Sequence, residues 1–158
     1  MKIKMRFNYL ILIIGLIASC IGTPGTKINQ EDSQSTVSDE IKDGVFIHVT
    51  ESYADPHRLL MPLKMATIMA DNKDVLVYMD IHAVEVLVNG AEDITMEGFD
   101  SAKTYIKILL EKGVNIYACP TCLKVAGFNP EDLAEGIQVA QKDKFFDFTK
   151  GKIITLDY

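Results

Sequence analysis

The chain has 158 residues, 48% of them apolar, with a formal net charge of -6 and no Trp. That length points to one domain with a real core, and the acidic balance shows no basic face of the kind nucleic acid requires, so nucleic acid is excluded as a partner. No Walker loop, Gly-x-Gly-x-x-Gly, Gly-x-Ser-x-Gly or His-Glu-x-x-His occurs, so neither nucleotide use nor hydrolase chemistry is indicated.

Lys2, Lys4 and Arg6 precede an apolar run from Tyr9 to Ile17 broken only by Gly15. The run is too short to span a membrane, and its flanks read as a signal peptide over residues 1–19. Ile17 to Cys20 resembles a bacterial lipobox, in which the cysteine thiol takes a diacylglyceryl group and becomes the mature N-terminus. The resemblance implies an exported envelope lipoprotein, held to a membrane through lipidated Cys20. Removing Lys2, Lys4 and Arg6 takes the formal charge from -6 to -9. Cys119 and Cys122 are then the remaining thiols, in a compartment where disulfides can persist.

Residues 20–43 are rich in Thr, Ser, Gln, Asn and acids without an apolar period, which predicts a flexible tether. From residue 44 to 158 short apolar runs alternate with helical patterns. Gly44 to Val49 is the first predicted strand. Asp55-Pro56 starts a helix with a face of Leu59, Leu60, Leu63, Ala66 and Ala70. Pro62 is out of place there, so the helix either begins near Arg58 or kinks. Asp74 to Asp80 is the second strand, and His82 to Val88 a further helix. Phe99, Ala102, Ile106, Leu109 and Leu110 face one side of the next helix, which Gly113 stops. Gly113 to Ala118 is the third strand, and Pro120 to Ala126 a short helix stopped by Gly127. Asn129 and Pro130 open another short helix. Gly136 to Ala140 is a weaker strand, Lys142 to Thr149 a helix packing Phe145, Phe146 and Phe148, and Lys152 to Asp157 the last strand. Met61, Met65, Met69 and Met79 read as core filling.

Near-continuous apolar strands are expected to be buried on both faces of a parallel sheet. Alternating strands and helices make right-handed βαβ units. The predicted fold class is therefore α/β, a three-layer α/β/α arrangement with about five mostly parallel strands.

Sites in such sheets form beyond the C-terminal ends of the strands. The first predicted strand ends at His48, Val49 and Thr50 and leads to His57; the second ends at Asp80 and leads to His82; the third ends at Cys119. Cys119 opens a helical turn, where the dipole and free N–H groups favour its thiolate. Cys122 lies one turn on and is either its partner or a small buried hydrophobe. His48 reads as a sheet residue, and Asp80 as either a site residue or the cap of the next helix. A metal set of Cys119, Cys122, His57 and His82 stays open as half a zinc site with distributed ligands. No cofactor is expected.

The stretch Gly113 to Leu133 (GVNIYACPTCLKVAGFNPEDL) resembles the cysteine-bearing segment of the DsrE/DsrF-like (YchN-like) superfamily, where a strand delivers a cysteine and a short helix ends in glycine. Asp55 to Ala66 is similar to that family's first helix, and Val75 to Val88 to its second strand and following helix. The resemblance implies a five-stranded parallel fold, homo-oligomers (trimers or hexamers), and sulfur carried as a persulfide on Cys119. The resemblance assigns Cys122 no role; on a sulfur-handling reading of the residues it is a candidate resolving thiol, with His57 and His82 as candidate proton handlers and the donor and acceptor unknown proteins. The alternatives are a dithiol redox protein, suggested by the Cys-Pro-x-Cys spacing, and a metal- or ligand-binding envelope lipoprotein.

Overall fold

The computed structural model describes residues 40–158. The signal peptide, Cys20 and most of the tether lie outside the described residues. Five strands form one all-parallel sheet in the order β4-β3-β2-β1-β5, with β1 at Gly44–Val49, β2 at Asp74–Met79, β3 at Asn115–Ala118, β4 at Gln138–Val139 and β5 at Ile153–Asp157. Helices α1 (Pro56–Met69), α2 (Ala102–Glu111), α3 (Pro120–Val125) and α4 (Lys144–Asp147) alternate with them, and residues Ala83–Leu87 and Pro130–Asp132 form 3-10 turns.

Strand parity separates the two faces. Val45, Ile47 and Val49 of β1, Val75, Val77 and Met79 of β2, and Ile116 and Ala118 of β3 share one core with Leu59, Leu60 and Leu63 of α1 and Tyr105 and Leu109 of α2. Burial of each large side chain among them contributes roughly 1.5–3 kcal/mol. The alternate residues, Phe46, Tyr78 and Tyr117, turn to the opposite face. There the Phe145 ring of α4 meets all three at centroid distances of 5.5, 5.1 and 6.4 Å.

Helix α1 starts where Asp55-Pro56 places it, with the Asp55 carboxylate accepting from the Arg58 N–H at 3.1 Å. It does not wait until Arg58, and it runs through Pro62 without interruption. The carbonyl that loses its partner to Pro62 belongs to exposed Arg58, close to the helix start, where water can replace the bond. Gly113 and Gly127 stop α2 and α3 with φ of 75° and 84°, the left-handed region that glycine enters freely.

Several expectations need correction. The segment after His82 is a 3-10 turn, not an α-helix, and so is the one after Asn129: Ala83–Leu87 gives way to an irregular stretch leading to α2, and Pro130–Asp132 to one leading to β4. The last helix is one turn, shorter than Lys142 to Thr149; Phe145 and Phe148 pack inward, and Phe146 is left 73% exposed. Strand β4 shrinks to two residues. Strand β5 is not buried on both faces: it is an edge strand beside β1 only, and Ile153 and Ile154 are exposed. Of the predicted core methionines, Met79 is fully buried, whereas Met61, Met65 and Met69 are only partly so.

Candidate functional site

The register builds the site. His48 is level with Tyr78 and with Asp157, and Tyr78 with Tyr117, so these four side chains cross the sheet in one row. The ladder continues a residue further, through Asp80 N–H to the Val49 carbonyl and Cys119 N–H to the Met79 carbonyl. Two positions on from Tyr78 and Tyr117, Asp80 and Cys119 therefore return to the same face.

Cys119 is the N-cap of α3 and Pro120 its first residue. Burial pushes the Cys119 thiol up. The Tyr78 hydroxyl, the Cys122 N–H, the Cys122 thiol and the Thr121 N–H outweigh it, and together hold Cys119 below the ordinary cysteine value. These donors stabilise the thiolate, which is the nucleophilic form. Cys122 moves the other way. Burial raises its thiol, the Ile81 N–H opposes that, and the Cys119 thiol with the Cys119 and Asp80 charges add to the rise. The Tyr78 hydroxyl is pushed up by burial and then by Cys119, so it remains a donor. Both cysteines are free thiols. One sulfur is thus set up as a nucleophile and its neighbour is kept protonated.

The loop after β2 is shaped around Cys122. Ile81, 54% exposed, has φ of 48°, a conformation that a β-branched residue adopts only at a cost of order 1–3 kcal/mol. Its N–H faces the Cys122 sulfur and opposes the rise that burial gives that thiol.

The predicted site residues separate into three places. Cys119, Cys122 and Asp80 come together. The Asp80 carboxylate does not cap the following turn; the contact there is its backbone carbonyl to the Ala83 N–H, while its side chain takes the His48 Nε2 at 2.9 Å. His82 is exposed, lies 3.3 Å from Glu85 through Nδ1, and lines with Ile81, Glu85, Cys122, Val125 and Ala126 a cleft of about 320 Å³. His57 sits at the start of α1, with its ring edge-on to Phe99 at 5.5 Å, and does not line the cleft that His82 and Cys122 share. Among the described residues no three His, Cys, Asp or Glu side chains converge in a way that could hold a metal ion.

Two contributors are not legible in the sequence. His48 stacks on Tyr78 at 5.4 Å and bridges Asp80 through Nε2 and Asp157 through Nδ1, tying the ends of β1, β2 and β5. Tyr78 reaches Cys119 across the strand pair. Only the order of strands reveals either contact, since His48 and Asp157 stand 109 positions apart.

Tyr78→Phe is expected to move the alkylation midpoint of Cys119 to higher pH. The thiolate reacts with iodoacetamide, so losing a donor to it requires more alkaline solution for the same rate. An unmoved midpoint in the pH–rate profile would show that the hydroxyl does nothing for the sulfur.

A model of the DsrE/DsrF-like family matches residues 43–154. No curated protein matches the chain. Among solved structures, the ychN protein of E. coli superposes with a TM-score of 0.56 at 20% identity, covering 73% of this chain and 99% of that one. A protein of unknown function from Methanobacterium thermoautotrophicum superposes with a TM-score of 0.51 at 21% identity, again over 73% and 99%. At such identities the likeness is one of fold.

Proposed function

Because this chain belongs to the DsrE/DsrF-like family, we propose that it handles sulfur, with Cys119 carrying sulfane sulfur as a persulfide. The observation that supports this most is the opposed pair of thiols at the end of β3: Cys119 held low by Tyr78 and two N–H groups, Cys122 held high beside it. In the loading step the Cys119 thiolate attacks the terminal sulfur of a donor persulfide R–S–SH. The donor S–S bond breaks, Cys119–S–SH forms, and R–S⁻ leaves. In the resolving step Cys122–SH attacks the Cys119 sulfur of Cys119–S–SH, giving the Cys119–Cys122 disulfide and hydrogen sulfide. The sulfane sulfur is reduced to sulfide and the two thiols are oxidised to the disulfide; a dithiol reductant restores them.

Asp80 adds negative charge near Cys122, and His82 is the proton handler next to Cys122. His57, on Phe99, is the weaker candidate. The domain would act as a homo-oligomer, a trimer or hexamer, held outside the cytoplasm on a bacterial membrane by lipidated Cys20, and would exchange sulfur with a donor and an acceptor protein. Exposed Ile153 and Ile154 on the β5 edge are consistent with contacts between copies.

Incubating the full-length Cys122→Ser chain, which cannot resolve the persulfide, with polysulfide in the absence of reductant is expected to add one sulfur atom to the peptide carrying Cys119, read by mass spectrometry. A peptide that gains no sulfur overturns the reading. The Cys-Pro-x-Cys spacing, which sets two free thiols one turn apart at the start of α3, favours a second reading, a dithiol redox protein. A Cys119–Cys122 reduction potential of about -270 to -120 mV, the span of exchange proteins, would support it, and one below about -300 mV would not.

A further inference from the structure

We propose that Ser52, Glu85 and His82 form a proton relay serving Cys122, in which Ser52 and Glu85 are positioning residues that fix His82 as the proton acceptor. The proposal rests on the persulfide reading for its chemistry but on separate contacts for its geometry.

Ser52, in the loop after β1, is 2% exposed. Its hydroxyl donates to Glu85 Oε2 at 2.9 Å. The other carboxylate oxygen, Oε1, faces His82 Nδ1 at 3.3 Å. A carboxylate only accepts, so the proton of neutral His82 belongs on Nδ1 and its lone pair on Nε2. A buried serine spends its one donor on Glu85, Glu85 fixes the tautomer, and His82 borders the cleft that Cys122 lines. Base and orienter thus stand in the usual relation, with a third group holding the orienter. The walls at Ile81, Val125 and Ala126 are apolar, so Glu85 and Cys122 are the other polar side chains lining the cleft with His82.

The resolving step needs such a group. Burial, Cys119 and Asp80 keep Cys122 protonated, and a thiol attacks only after losing its proton. In the step, the Cys122 proton moves to His82 Nε2, the Cys122 sulfur bonds to the Cys119 sulfur, and the persulfide S–S bond breaks. The departing HS⁻ takes the proton from His82 and leaves as hydrogen sulfide. No other reactant is consumed. The titratable and charged groups around the relay are Glu85 on its own turn, Asp80 at the end of β2, Cys119 and Cys122 on α3, and Tyr53 beside Ser52, itself raised by burial and by Glu92, Glu85 and Asp93.

Two measurements on the full chain test the relay. In the first, Cys119 is loaded with sulfane sulfur and sulfide release per loaded chain is followed against pH. His82→Asn is expected to slow release roughly a hundredfold, the low end of what a general base contributes, and to erase the acid limb of the profile. Glu85→Gln and Ser52→Ala should lose less rate but displace that limb. In the second, the His82 ring tautomer is read by 15N NMR in the full chain: wild type is expected to carry the ring proton on Nδ1, and Glu85→Gln and Ser52→Ala to shift it toward Nε2. Profiles that keep their position in Glu85→Gln and Ser52→Ala overturn the relay, as does a uniform loss at every pH. If even the Cys122→Ser chain never accepts sulfur, the persulfide reading fails and the His82 tautomer still decides the relay.

Discussion

Cys119→Ser is expected to reduce sulfur loading to the background of the other cysteines, a loss on the order of 10³-fold or more, as removal of a nucleophile usually gives. A serine hydroxyl in the same place stays protonated even with Tyr78 and the Thr121 and Cys122 N–H groups around it, and it cannot form a persulfide. Cys122→Ser should behave differently. Loading on Cys119 persists, while sulfide release falls and the loaded form accumulates. The two variants therefore split the proposed cycle at its midpoint, read by mass spectrometry of the Cys119 peptide and by a sulfide assay. Equal loading of Cys119→Ser and wild type would remove Cys119 from the chemistry.

Leu63→Ala should cost about 3 kcal/mol of stability, within the range for emptying a leucine site in a close-packed core. Leu63 is fully buried on α1, in the cluster that also holds Ile47, Val77 and Leu109. For a domain of this size the loss corresponds to a fall in Tm of about 10 °C, measurable by circular dichroism. Val125→Ala is the contrast: at 83% exposure it should change stability by less than about 0.5 kcal/mol. Should Leu63→Ala behave like Val125→Ala, the α1 face of the sheet would not be the core.

Much of the fold can be read from local chemistry. Asp55-Pro56 marks the start of α1 because a carboxylate cap and a proline suit a helix only there. Gly113 and Gly127 mark stops because their backbones turn left-handed. The β-branched run Gly44 to Val49 has no other comfortable conformation. What stays hidden depends on distant partners. Pro62 reads as a break, yet tertiary packing of Leu59, Leu60 and Leu63 holds the helix together around it. Phe146 reads as core because its two neighbours in composition, Phe145 and Phe148, do pack inward. Strand β5 reads like the central strands, and only the sheet order places it at an edge.

The candidate site divides in the same way. The strand-end cysteine, its helix start and Asp80 follow from position in the sequence, so Cys119 stands out before any coordinates. The contacts that set its character come from across the sheet. Tyr78 reaches Cys119 from the neighbouring strand, His48 closes on Asp80 and Asp157 from a third, and Ser52 reaches Glu85 from a loop 33 residues away. His57 and His82 are alike in sequence, each following a strand end in a polar loop. The fold sends one to Phe99 and the other to the cleft beside Cys122.

The pairing of β1 with β5 also fixes an order of events as the chain folds. Strand β1 comes first among the described elements and β5 last, so closing His48 on Asp157 gathers a loop of 109 positions. Such a closure costs about 4 kcal/mol in chain entropy, and contacts this remote slow folding. Bringing Cys119 to Tyr78 needs only the pairing of β2 with β3, neighbours that are much nearer in sequence. That half of the row can therefore close at a smaller entropic cost than the His48–Asp157 tie, which makes the last strand a clasp on a sheet already able to form without it.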